Sequence, residues 1–156
     1  MNEDIYQVLL HVHSVGRWVL LVLLLIAIFN SLVAGQRPFI RTDARTGLIL
    51  TIVADLMLVI GGVLWYFGEW GYNQIRTRGM SAVMKDGVAR FFVMEHLLLM
   101  LIAIILIHIG KVQGRKAISD RSKHNRTMWY YLIALILILI SVPWPFRQNF
   151  LDRGWY

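Results

Sequence analysis

Four runs of apolar residues, separated by short polar and basic connections, organise the chain. Their limits are Ile5 to Val33, Leu48 to Phe67, Val88 to Ile109 and Met128 to Val142. An α-helix rises 1.5 Å per residue, so roughly 20 apolar residues cross a bilayer core of about 30 Å. The first three runs meet that length. The fourth is short and crosses only if Trp129, Tyr130 and Tyr131 sit at one interface and Trp144 and Phe146 at the other, where amphipathic rings prefer to lie. Pro143 and Pro145 then stop the helix. The pattern predicts an all-α integral membrane four-helix bundle, one domain over residues 1–156, with the stretch Glu69 to Gly87 as a cap on the outer side.

Composition strengthens this picture. Hydrophobic residues make up 58% of the chain and charged residues 16%, well on the apolar side of soluble domains. The leader MNEDIYQ is acidic and the apolar run after it is longer than the core of a secretory signal, so the first span is expected to stay in the mature protein. The formal charge of +7 does not point to nucleic acid, because the basic residues lie in short connections, where they set topology. Arg37, Arg41 and Arg45 follow the first span, and Lys111, Arg115, Lys116, Arg121, Lys123 and Arg126 follow the third. The other side holds Arg76, Arg78, Lys85, Arg90, Arg147 and Arg153, interspersed with Glu3, Asp4, Glu69, Asp86 and Asp152. This bias places the two more basic connections in the cytoplasm and both termini outside, in a bacterial inner membrane. The chain has no cysteine, which excludes disulfides, iron–sulfur clusters and covalently attached haem.

The informative residues are the ionisable ones within the apolar runs: His11, His13, Arg17, Asp55, Glu95, His96 and His108. Such groups are costly in a bilayer and mark function by default. Counted from the outer helix ends, His13 and His96 each lie roughly 12 Å deep. That shared level suits two imidazoles gripping one metal from different helices. Arg17 lies one turn below His13 on the same face, and Asp55, roughly 18 Å from the outer end of its helix, is expected near Arg17 as an ion-pair partner. Gly61 and Gly62 remove bulk where another helix or a flat macrocycle can approach. His11 reads as an interfacial, hydrogen-bonded residue and His108 as a residue near the inner end of its helix. Glu95 remains open between a proton-transfer role, a supporting role and pairing with Arg17 or Arg90. Met57, Met94 and Met100 read as apolar filler, and the fourth helix, with Ser141 its only polar residue between the aromatic groups, as a support without chemistry. There is no nucleophile–base constellation and no phosphate-binding glycine loop.

The run LLHVHSVGRWVLLVLLLIAIFNSL, the segment KDGVARFFVMEHLLLMLIAIILIHIG and the ending PWPFR followed by RGWY resemble small four-helix bacterial membrane proteins labelled cytochrome b, especially those of Bacteroidetes. The resemblance covers nearly the whole chain, most specifically His13-Ser14 with Arg17-Trp18, Glu95-His96, and Pro143 to Arg147. It implies non-covalent haem b, with His13 and His96 as axial ligands, Arg17 and Asp55 nearby, and single-electron transfer that involves quinol or subunits of a respiratory complex. It also implies a histidine in the second helix of related chains where this one has Asp55, so a second haem site would be lost or ligated differently. Two other readings are carried alongside: an accessory subunit of a membrane complex, homo-oligomeric or not, and a proton- or ion-conducting protein that uses Asp55, Glu95 and the histidines.

Overall fold

The computed structural model describes residues 2–147, and they form helices α1 (Glu3–Leu32), α2 (Arg41–Phe67), α3 (Tyr72–Arg78), α4 (Met80–Lys85), α5 (Gly87–Arg90), α6 (His96–Gln113) and α7 (Asp120–Ser141). One π-helical turn, Phe91–Glu95, joins α5 to α6. The four long helices pack in a closed ring, α1 on α2, α2 on α6, α6 on α7 and α7 on α1. Thus α1 stands diagonally opposite α6.

Three stretches, Glu3–Leu32, Arg41–Arg78 and Gly87–Gln113, are long and apolar enough to cross a membrane. The expected fourth differs. α7 begins at Asp120 rather than near Met128, and its first two turns carry Arg121, Lys123, His124, Asn125 and Arg126. That polar start dilutes the apolar stretch. The Glu69 to Gly87 connection forms α3 and α4, and Val83, Ala89 and Val93 pack there into a small cluster of their own, with Ile75 against it. Asp152, Arg153 and the RGWY ending lie outside the described residues.

Local sequence accounts for the helix ends. Asn2 Oδ1 accepts from the Asp4 backbone N–H, and Glu3 and Asp4 complement the positive end of the α1 dipole. Gly35, at φ 58°, supplies the left-handed residue of the turn that follows α1. Asp43 then accepts the Ile40 N–H and two bonds at 2.7 Å from the Arg37 guanidinium, which fixes the start of α2. Ser119 caps α7 by accepting from Ser122 N–H. At the far end, Leu139 and Ser141 have prolines four residues on, so neither carbonyl can receive the usual helical N–H. Leu139 O accepts from Trp144 Nε1 at 2.8 Å instead, and Ser141 O from a histidine described below.

The core lies toward the C-terminal ends of α1 and α6 and joins Leu20, Leu24 and Ala27 of α1, Leu50 and Ala54 of α2, Ala103 and Ile107 of α6, and Tyr131, Ala134 and Ile138 of α7. Outward faces are apolar too: Val22, Leu25, Ile52, Val59, Ile105 and Ile136 are all exposed. An exterior of this kind suits lipid rather than water. Tyr131 does not sit at an interface; it is only 2% exposed. Two glycines make its place. A Cβ on Gly110 would fall 2.5 Å from the Tyr131 ring, and one on Gly47 2.9 Å from its hydroxyl.

Gly110→Ala therefore overpacks a ring that has nowhere to go, and we expect it to lower stability by about 1–3 kcal/mol. A Cβ at Gly62 would meet nothing within 4 Å, so Gly62→Ala is expected to leave the melting temperature in mild detergent nearly unchanged. Equal melting temperatures for both variants would contradict this packing.

Candidate cofactor site

Above the core, the four helices part around a cavity of about 310 Å³, within the range of about 300–1,000 Å³ typical of small-molecule and cofactor pockets. α1 contributes His13, Ser14 and Arg17; α2 contributes Met57, Gly61, Gly62 and Trp65; α6 contributes His96 and Met100; and α7 contributes Ile138. Phe92, from the π turn, completes the apolar wall.

His13 and His96 reach this cavity from diagonally opposite helices, with ring centres 6.4 Å apart and planes inclined at 66°. Their common level follows from α1 and α6 running parallel, so that both enter from the same side with their histidines near the start. Each ring is set by its surroundings. His96 Nδ1 lies 2.7 Å from Ser141 O; a carbonyl only accepts, so Nδ1 carries the hydrogen and a neutral ring keeps its lone pair on Nε2. Metal-binding histidines are commonly oriented by this kind of bond. Phe91 and Phe92 pack on the same ring, with centres 5.9 and 6.3 Å away. His13 lies against Gly61, where a Cβ would come 3.0 Å from its Cε1, and its buried Nδ1 has no hydrogen-bond partner.

The π turn sets the phase of α6. The His96 N–H reaches the Phe91 carbonyl, a five-residue step that inserts one extra residue and rotates everything after it. Turns of this type concentrate at functional sites. The Val93 carbonyl receives Trp65 Nε1 at 3.2 Å, which ties the turn to α2. Glu95 resolves its open partner here: its Oε1 accepts from Arg90 Nε at 2.8 Å across the widened turn. Arg17 lies over two rings, its guanidinium carbon 5.3 Å from the centre of Trp18 and 5.8 Å from that of Trp144. It presents positive charge on the cavity wall.

Other expectations need correction. Asp55 does not join Arg17 and does not line the cavity; its Oδ1 lies 2.8 Å from His108 Nε2. The cause is helical phase. Two residues turn a helix by about 200°, and Met57 packs against Gly16 of α1, so Asp55 points away from α1. His108 is correspondingly part of a pair across α2 and α6 rather than a lone residue near a helix end. α7 is more than a support, because its Ser141 carbonyl orients His96. The sequence carries the signal for that in Pro145, which cannot donate to Ser141. His11 behaves as read, exposed and with Nδ1 2.8 Å from Gln7 O. Met94 is exposed, whereas Met57 and Met100 line the cavity.

The donor set limits what the cavity can hold. Among the described residues there is no group of three or more His, Cys, Asp or Glu side chains placed to hold a metal ion, and a bare zinc ion asks for three or four protein ligands. Two imidazoles suit a metal that brings its other ligands with it. Imidazole nitrogens bind metals at about 2.0–2.1 Å, so two rings clasping one metal hold those nitrogens about 4 Å apart, with the ring centres farther out on each side. The separation of 6.4 Å has that room, Gly62 leaves the α2 wall open, and Arg17 is suited to a carboxylate. These residues fit a haem.

Comparison of the chain with family models, with curated proteins and with solved structures finds no match.

The segment leading to His96 is anchored by Asp86, whose Oδ1 accepts from the Val88 and Ala89 N–H groups and whose Oδ2 accepts from Arg78 at 2.9 Å. The Ala89 N–H first, and then Arg78, hold this carboxyl below its ordinary range. A carboxyl whose pKa is depressed in the folded state stabilises fully above its unfolded value, about 4, and loses that contribution as pH falls through the folded value. Protection of the Val88 and Ala89 amides, corrected for intrinsic exchange, is thus expected to hold from neutral pH to about 5 and to decline below about 4. Asp86→Ala should remove that pH dependence; the same decline in the variant would contradict the assignment.

Proposed function

We propose that this protein is a membrane b-type cytochrome that holds non-covalent haem between His13 and His96 and passes single electrons. The observation that carries the reading is the pair of imidazoles facing each other across an apolar cavity from diagonally opposite helices. The bound group supplies a one-electron redox centre. Everything else is the work of the chain. His96 offers Nε2 because Ser141 O holds the hydrogen on Nδ1; His13 takes the opposite side. Held by His13 and His96 together, the group would supply electron transfer rather than oxygen chemistry. Arg17 would meet a carboxylate of the bound group, and Phe91, Phe92 and Trp65 would keep water from the site. Burial and the nearby arginine charge tune the potential.

In this reading α7 also crosses the membrane, giving four spans in a bacterial inner membrane with both termini outside and the arginine- and lysine-rich connections in the cytoplasm. The redox centre then lies in the outer half of the bilayer, within reach of quinol or of an exported electron carrier. The resemblance of the His13–Trp18 and Glu95–His96 segments to proteins labelled cytochrome b supports the same function. Asp55 has no part in the cofactor site.

His13→Ala and His96→Ala are each expected to abolish low-spin haem absorption and to lower haem stoichiometry in the pyridine haemochrome assay. Gly62→Phe supplies a second measurement: it fills the cavity and should exclude haem while helix content stays that of the parent. Unchanged spectra in both histidine variants would overturn the proposal, and a colourless parent that takes up no added haem would favour an accessory-subunit role.

A further inference from the structure

The Asp55–His108 pair is unusual in where it lies. Both side chains remain about half exposed, at 50% and 47%, although they bond at 2.8 Å, and both belong to stretches able to cross a membrane. Gly47 of α2 lies beside Lys111 of α6, whose Cβ is 3.9 Å from a Cβ built on that glycine. From that level, His108 stands about 4.5 Å and Asp55 about 12 Å farther toward the outer side at 1.5 Å per residue. Side chains tilt toward the N-terminus of their own helix, so on antiparallel helices these two tilt toward each other and meet. They do so inside the apolar belt.

The surroundings of the two residues match. Leu48, Ile52 and Val59 stand seven and three residues before and four after Asp55; Leu101, Ile105 and Val112 hold the same positions around His108. All six are exposed. An acid and a base thus lie side by side at the centre of an apolar face formed by α2 and α6. Hydrocarbon offers their outward atoms no hydrogen bonds, and leaving a polar group unmet there is costly. A partner surface must therefore offer an acid and a base at the same depth and be apolar around them.

We propose that the α2/α6 face is covered by a second copy of this chain, related by a twofold axis along the membrane normal, with Asp55 of each copy meeting His108 of the other. Such an axis keeps both copies at one depth and in one orientation. An isologous contact pairs residue i with j and j with i, so each acid meets a base and no like groups face each other. Charge complementarity within one face selects a second copy over a subunit of unrelated sequence. The contact is independent of the cavity, and it stands whether or not haem is bound.

The chain has no cysteine, so single cysteines can report the contact in native membranes. Ile52→Cys in one copy, co-expressed with Ile105→Cys in another, is expected to give a disulfide-linked dimer on mild oxidation, whereas Ile52→Cys co-expressed with Ile136→Cys on α7 is not. Association of the full chain, read by energy transfer on dilution in lipid vesicles, should weaken about tenfold in Asp55→Leu/His108→Leu, since interhelical hydrogen bonds in membranes contribute about 0.6–2 kcal/mol each. Because the cysteine variants leave the pair intact, a folding defect of the double variant does not blunt the test. Equal cross-linking of Ile52→Cys to Ile136→Cys, no cross-linking between Ile52→Cys and Ile105→Cys, or cross-linking of that face to a different protein would each overturn the proposal.

Discussion

A polar side chain on a helix that is apolar all round gains little from its surroundings, so a partner or a ligand within reach decides where it settles. That constraint explains most of what is particular about this protein. His96 finds a backbone carbonyl left open by a proline; Glu95 finds Arg90 across a widened turn; Asp55 finds His108 on the neighbouring helix. What remains at the centre is a pair of rings facing each other over empty space.

The bundle divides its labour by depth. Toward the C-terminal ends of α1 and α6, alanine and glycine bring the helices close, and Leu24, Leu50, Ile107 and Tyr131 fill what is left. Toward the other end, Gly61 lies against His13 and Gly62 leaves the α2 wall open, so helix backbone borders the cavity there. The same small residue thus serves opposite ends: Gly110 admits a tyrosine ring, whereas Gly62 borders a cavity. That closely packed half is a suitable base for two side chains that must be held at fixed separation.

Much of this was legible in the sequence. The apolar runs predicted all the long helices, because a membrane-sized stretch leaves little choice of structure, and counting helical rise from the outer ends placed His13 and His96 at one level. Arg17 lines the cavity as the same face of the helix predicts. Three things were hidden. The partner of Asp55 depends on which face of α2 packs on α1, a choice that a helix apolar all round does not reveal. The π turn leaves no periodic signature in a segment as uniform as FFVME. The role of Ser141 lies in its carbonyl rather than its side chain, and only the proline four residues on marks it. The polar opening of α7 carries the charges expected of a cytoplasmic loop, so hydropathy alone does not mark it as helix.

The central claim is that His13 and His96 hold a haem. It is tested most directly by the absorption spectrum of the purified chain in mild detergent before and after dithionite, with the pyridine haemochrome fixing haem type and stoichiometry. A sharp α-band on reduction, with b-type haem bound, is the predicted result. A colourless protein that stays colourless when haem is added would contradict it.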